Sequence, residues 1–302
     1  MRTMNVGVVD IDSHHFPNLV LMKLSAWHKV HDDTVELLTP DDVLSGINLF
    51  VSYEKLYGAC VFTENNAVAN RLERIGVHVA GSGTGKQETL PDEIEHIMPD
   101  YSLYGITDTA YGFLSRGCPR GCPFCIVAGK EGMKSRKVAD LSEWWDGQKE
   151  IKLLDPNLLA CNESMELLGQ LADSGAWIDI TQGLDARLLN RDNIAVINRM
   201  RVKMLHFAWD NPRDDSIKSA LQMFAMHNNL NSRKLGVYVL TNYWSTLQED
   251  LMRVYWLRDN GYNPYIMVYD KPHAPKEICR LQRWVNNKFI FRSCDKFEDY
   301  VA

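Results

Sequence analysis

No stretch of the 302 residues is apolar over the roughly 20 positions that a membrane-crossing helix needs, so no membrane partner is expected. A basic segment followed by an apolar one is also missing from the start, so no secretory signal is expected. The compartment implied is cytoplasmic, where thiols stay reduced. Paired cysteines are lacking too. The seven are odd in number, and Cys60, Cys161, Cys279 and Cys294 lie far apart in the chain. That argues against a disulfide framework, and these four are expected to be small buried apolar residues. Internal repeats and low-complexity tracts are absent. An overall basic charge is lacking as well: the net charge is −6. It is unevenly spread, with 7 Lys/Arg against 16 Asp/Glu in residues 1–110 and 26 against 23 in the remainder.

What the chain does have is one dense motif. The run Gly117-Cys118-Pro119-Arg120-Gly121-Cys122-Pro123-Phe124-Cys125 spaces three cysteines as CxxxCxxC, with an aromatic residue before the last sulfur. Three thiols without a fourth ligand nearby suit a metal centre with an open position, since structural zinc sites usually close four protein ligands. Spacing alone leaves zinc and iron both open. Around the motif stand Arg116, Arg120, Lys130, Lys134, Arg136 and Lys137, opposed by Glu131. Such a patch could attract phosphate or nucleic acid. It is short and has no interleaved aromatics, so the simpler reading is a solvated loop that offsets thiolate charge.

From about residue 111 the chain alternates β-like and helix-like segments. Strands are expected to start near Gly112, Ile151, Trp177, Lys203, Leu235 and Pro264, and after the first gap they recur at the spacing of βαβ units. Amphipathic segments lie between them at Leu141–Gln148, Ser164–Asp173, Asp192–Met200, Ser216–His227, Leu247–Asn260 and Lys276–Val285. Six units are too few for a complete eight-stranded barrel, so the class expected is α/β with a partial six-unit (β/α)6 barrel. Residues 1–100 read as a small Rossmann-like, doubly wound domain, and residues 101–302 as the barrel. Its expected elements are strands at Val6–Ile11, Val35–Leu38, Leu49–Tyr53 and Val77–Ala80, with helices at Leu19–Val30 and Ala67–Ile75.

Two motifs have plain structural explanations. Gly81–Lys86 imitates a phosphate loop, but GxxxGK is one residue short and Gln87 stands where Ser or Thr would bind magnesium; a turn is expected. Asp12, His14, His15, His28 and His31 could suggest a metal, yet histidines on a helix and its preceding loop are expected to be solvated. By contrast, Asp155-Pro156-Asn157, Gln182–Arg187 and Trp209–Arg213 all follow barrel strands. Together with the cysteine loop they place four polar loops at the carboxyl ends of strands. Each alone could be a turn or a helix cap; their coincidence on one face points to a site.

The cysteine loop after the first strand of six βα units, with Phe124 inside it, resembles the radical S-adenosylmethionine (SAM) superfamily over roughly residues 105–285. By that resemblance Cys118, Cys122 and Cys125 would ligate three irons of a 4Fe–4S cluster, and the fourth iron would bind SAM. An electron from a donor such as flavodoxin or ferredoxin would cleave SAM to methionine and a 5′-deoxyadenosyl radical, which acts on an unidentified substrate. Phe124 would lie near the adenine. The family's glycine-glutamate motif after the second strand is not visible, and Asp155 is the substitute candidate for holding the SAM amino group. The Thr181–Arg187 run resembles segments of radical SAM proteins with cobalamin-type N-terminal domains. It makes Gln182 and Arg187 candidates for SAM or substrate contact, with Asp210 for the ribose.

The N-terminal layout is similar to a cobalamin-binding domain. Asp12-Ser13-His14 begins a DxHxxG-like motif, but Pro17 replaces its glycine, and Ser52 is followed by Glu54 where SxL needs leucine. A degenerate domain without cobalamin is therefore expected. Two alternatives stay open: a cobalamin-using methyltransferase of the same superfamily, and a non-catalytic zinc or iron–sulfur protein. An RNA-modifying enzyme finds little support, because no recognisable RNA-binding module follows the barrel.

Overall fold

A computed structural model of the chain describes residues 3–12, 16–46, 52–86 and 88–301. The chain divides into two compact units, residues 1–112 with 141–148, and residues 113–140 with 149–302.

The first unit is built on the strands β1 (Asn5–Asp10), β2 (Thr34–Leu38), β3 (Lys55–Ala59) and β4 (His78–Ala80), in the order β2-β1-β3-β4. All of its strand pairs are parallel. Successive residues of β1 serve opposite faces: Val8 packs with Leu21, Leu24 and Ile94, and Val9 with Leu38, Leu72 and Val79. A sheet buried on both faces is the doubly wound arrangement that the composition suggested. The helix Leu19–Val30 starts at Asn18, whose side chain accepts from the Val20 and Leu21 amides. The expected strand at Leu49–Tyr53 falls partly outside the described residues, and the third strand is Lys55–Ala59. His14 and His15 also lie outside them. His28 was expected in solvent, yet it is fully buried, with Nδ1 2.7 Å from Asp33 Oδ2 and Nε2 3.3 Å from the Tyr57 hydroxyl. Its hydrogen bond holds the Asp33 carboxyl below its ordinary pKa. The glycine-rich run is a turn at Ser82–Thr84, and Lys86 reaches back to Glu73 and to the Val79 carbonyl.

The strands that follow are β5 (Thr109–Gly112), the two-residue antiparallel pair β6 (Ser115–Arg116) and β7 (Arg136–Lys137), then β8 (Glu150–Leu153), β9 (Trp177–Leu184), β10 (Arg201–Ala208), β11 (Leu235–Thr241) and β12 (Asn263–Val268). Within the second unit the sheet strands follow the order β12-β11-β10-β9-β8, each paired in parallel with the next. Sequential order without reversal is the topology of a partial (β/α)6 barrel, with helical crossovers between the strands. Helices at Ser164–Asp173, Arg191–Ile197, Asp215–His227, Leu247–Asp259 and Lys276–Asn286 carry buried apolar stripes, among them Leu171, Ile197, Leu221, Leu257 and Leu281. Capping boxes at Asn190 and Thr246 fix the starts of two of them. The segment Leu141–Gln148, expected to be a barrel helix, has one 3-10 turn at Leu141–Glu143 and belongs to the first unit. No helix among the described residues is long and apolar enough to cross a membrane.

Candidate functional site

The parallel order gathers the carboxyl ends of the strands along one edge, and the loops that leave this edge carry the polar residues. The cysteine loop is shaped by its glycines. Gly117 has φ +90°, and a Cβ there would overlap the Lys134 carbonyl, so only glycine lets the chain pass into Cys118. The Cys118 amide donates to the Gly132 carbonyl at 3.1 Å and the Cys125 amide to the Cys122 carbonyl at 3.0 Å. All three cysteines are free thiols, Cys118 and Cys122 half-buried and Cys125 exposed.

Beneath this loop lies Asp155. Expected to help hold an amino group, it is only 1% exposed and gives its carboxylate to the protein: it accepts from the Leu114 amide at 2.8 Å, the Ser115 amide at 2.7 Å and the Ser115 hydroxyl at 2.5 Å. Burial outweighs these donors and raises its pKa to about 7. Two residues on, Asn157 Nδ2 donates to Cys118 Sγ at 3.4 Å, and its carbonyl accepts from Ser135 Oγ at 3.1 Å. Asn157 Oδ1 is buried without a hydrogen-bond partner. The loop after β8 thus shapes both ends of the cysteine loop.

The charges of Arg187 and Asp210 act on Cys122. Burial raises the pKa of Cys122; the charges of Asp210, Cys118 and Cys125 raise it further, and Arg187 opposes them. A group of anionic or potentially anionic side chains around one thiol is the electrostatic setting that a cation relieves. Asp210 itself is pushed up to about 6 by burial, against the pull of Arg253 and Arg187. Asp185 is buried, which alone would raise its pKa, but Arg187 and Arg120 bring it below the ordinary carboxylate value. Those contacts are Arg187 Nε to Oδ1 at 2.7 Å and Arg120 Nε to Oδ2 at 2.5 Å, with Arg187 Nη1 continuing to Asp214 at 3.1 Å. This chain of charges fastens the cysteine loop to the loops after β9 and β10. Gln182 is exposed near the end of β9.

Sequence reasoning missed the aromatic side of the site. The Phe124 ring meets Tyr243 at 5.4 Å and Trp244 at 5.7 Å, both edge to face, and Tyr243 meets Tyr269 at 4.7 Å. Trp244 Nε1 donates to the Asp210 carbonyl at 3.0 Å. These residues follow β11 and β12, just past strands as the earlier loops are, but they are aromatic, and only polar residues singled out those loops. Part of the basic patch is paired with carboxylates. Arg116 pairs with Glu131 at 2.9 Å, and Lys137 pairs with Asp140 at 2.6 Å and Glu166 at 2.8 Å.

Among the described residues, no three His, Cys, Asp or Glu side chains converge on a single ion position. An iron–sulfur cubane takes each thiolate on a separate iron, so its ligands need not meet at one point, and soft thiolates suit it. The three free thiols and the hydrogen bond to Cys118 Sγ fit such a group.

No family model and no curated protein matches the sequence. The fold is similar to solved structures of the radical S-adenosylmethionine methyltransferase TsrM from Kitasatospora setae. One, with cobalamin and a [4Fe–4S] cluster bound, matches with a TM-score of 0.44 at 13% identity, over 88% of this chain and 69% of that one. Another, with tryptophan substrate and the SAM analogue aza-SAM, matches with a TM-score of 0.43 at 13% identity, over 87% and 67%. At such scores the likeness carries nothing about activity.

Proposed function

We propose that this chain is a radical SAM enzyme acting on a substrate yet to be identified. The observation that carries the reading is the CxxxCxxC loop at the carboxyl edge of a sequentially ordered parallel sheet, with three free thiols, Phe124 among them, and Asn157 hydrogen-bonded to the first sulfur. Cys118, Cys122 and Cys125 would hold three irons of a 4Fe–4S cluster. When bound, that cluster with SAM on its open iron supplies one-electron reductive cleavage of the sulfonium. The protein's own part is to hold and to exclude. Asn157 orients Cys118 and disperses charge on its sulfur, as hydrogen bonds to cluster thiolates do. Phe124, Tyr243 and Trp244 would present aromatic surface to one side of the cysteine loop. Arg187 and Asp210, whose charges act on Cys122, would meet polar parts of SAM or of the substrate, and the exposed Gln182 is a further candidate.

Anaerobic reconstitution with iron and sulfide tests this. The wild-type chain should take up about four irons with matching sulfide and, once reduced, release 5′-deoxyadenosine from SAM. Cys122→Ala should lose both while keeping its circular dichroism spectrum, because the loop contributes little to the core. Zinc without sulfide in the anaerobically purified protein would defeat the reading, as would an alanine variant that still cleaves SAM. Added hydroxocobalamin should not be retained; a corrinoid spectrum that survives desalting would move the protein to the cobalamin-using branch.

A further inference from the structure

Asn157 stands directly before the 3-10 turn Leu158–Ala160, where an asparagine ordinarily caps the turn by accepting a backbone N–H on its side-chain oxygen. Here it makes no such cap, and Oδ1 is buried without a hydrogen-bond partner. The whole residue is only 3% exposed. A buried acceptor left unmet is destabilising, and leucine, close in size and without polar atoms, would fill the same space without that penalty. Capping and packing therefore do not explain why an amide stands at this position.

Its other end does. Nδ2 donates to Cys118 Sγ at 3.4 Å. A thiolate only accepts, so the amide has to present N–H to it, and that choice is what turns Oδ1 away from a donor. Both partners are held. The Ser135 hydroxyl donates to the Asn157 carbonyl at 3.1 Å, and two residues earlier Asp155 is tied to the Leu114 and Ser115 amides. On the sulfur's side, the Cys118 amide donates to the Gly132 carbonyl at 3.1 Å, directly after Gly117 with its φ of +90°. Among the described residues, the Cys122 and Cys125 sulfurs receive no such donor. One sulfur of the three is thus singled out.

We infer that Asn157 raises the reduction potential of a cluster held by Cys118, Cys122 and Cys125, acting through the Cys118 sulfur. The inference rests on the proposed reading of the cysteine loop. Reduction adds one electron, supplied by a low-potential reductant, and puts more negative charge on the thiolates. An N–H aimed at one of them stabilises the reduced form more than the oxidised one. Burial keeps the bond from being diluted by water. No bond to iron forms or breaks and no proton moves, because the amide keeps both its hydrogens. Asn157 is in this sense a positioning residue, and its effect is read on the potential rather than on turnover.

The test is a redox titration with dithionite, followed by electron paramagnetic resonance, on the anaerobically reconstituted full chain without SAM. At a fixed potential the ratio of reduced to oxidised cluster should fall about tenfold in Asn157→Leu, which for one electron is a shift of about 59 mV to lower potential. Asn157→Ala, which deletes the same donor with a smaller side chain, should shift it the same way. Ser135→Ala frees the Asn157 carbonyl and keeps the amide, so its ratio should stay within about twofold of wild type. Wild-type potentials in both Asn157 variants, with iron and sulfide content unchanged, would overturn the inference and leave the proposed function standing. A Ser135→Ala shift as large as that of Asn157→Leu would overturn it as well, by assigning the effect to the position of the loop. Failure of both Asn157 variants to load a cluster would do the same, making Asn157 a residue of assembly. A wild-type chain that takes up no iron and sulfide would defeat the proposed function itself, and the inference with it.

Discussion

Replacing Arg253 by methionine should destabilise the second unit by about 3–5 kcal/mol, the range for breaking a buried ion pair by removing one partner. Arg253 and Asp250 are both fully buried in the helix Leu247–Asp259, with Arg253 Nη2 2.5 Å from Asp250 Oδ1. The guanidinium also donates to three backbone carbonyls, Trp209 at 2.5 Å, Asp210 at 3.1 Å and Leu240 at 2.9 Å. It therefore ties the carboxyl ends of β10 and β11 to one helix and fixes the loop that carries Asp210. Methionine keeps most of the apolar stem but strands a buried carboxylate and takes the guanidinium donor from three carbonyls, of which that of Asp210 keeps Trp244 Nε1. Urea unfolding followed by tryptophan fluorescence measures the loss. The double variant Arg253→Met, Asp250→Leu should recover part of it, since the stranded charge is gone while the carbonyls still lack the guanidinium. Asp210 should respond as well. Arg253 pulls its pKa down, so removing the cation should lift it above its present value of about 6 and leave the carboxyl more protonated near neutral pH.

Which parts of this architecture could be read in advance follows from the range of the interactions that set them. β8 to β12 were legible because local sequence decides them: short apolar-rich runs, recurring at the interval of a βαβ unit and separated by amphipathic helices. Leu19–Val30 matched its expected bounds for the same reason, with Asn18 as a ready cap. Lys55–Ala59 was missed because an exposed lysine and Gly58 dilute the strand pattern, although Gly58 has β1 on one side and β4 on the other. Leu141–Gln148 showed helical spacing, but Gly147 turns with φ +84° and Trp144 is buried, so tertiary packing overrides the local pattern. In the site, the cysteine loop was plain because spacing itself encodes it. Arg253 was not, since a lone arginine in an amphipathic helix reads as a solvated surface residue until the carbonyls it serves, at sequence separations of 13 to 44, are folded onto it. Asp155 was found by position and given another role, because its partners are amides, and amides leave no signature in side-chain sequence.

The last prediction concerns that aspartate. Asp155→Ala should destabilise the second unit by about 3 kcal/mol and abolish iron uptake by the cysteine loop, although the residue touches none of the three thiols. Its carboxylate is the acceptor for the Leu114 and Ser115 amides and for the Ser115 hydroxyl, all buried, and deleting it orphans three donors at about 1 kcal/mol or more each. Those amides sit at the entry to the cysteine loop, so freeing them lets Cys118 drift from Asn157. Asparagine should be no remedy, because its amide group would turn N–H bonds toward N–H bonds. The pH dependence follows from the raised pKa. With about 7 in the folded state and 3.8 as the ordinary value, the folded protein holds a proton at this site between those limits that the unfolded chain has released. The contribution of Asp155 to stability is therefore greatest below about pH 4, declines as pH rises toward 7, and is constant above. Unfolding free energies measured from pH 4 to 8 should show that decline in the wild type and lose it in Asp155→Asn. A wild-type profile that instead rises with pH in step with the variant would mean the three donors, not burial, control this carboxyl. Ser115→Ala, which removes one donor and keeps the carboxylate, should cost only about 1 kcal/mol and leave iron uptake intact, separating the hold on the backbone from the hydroxyl contact.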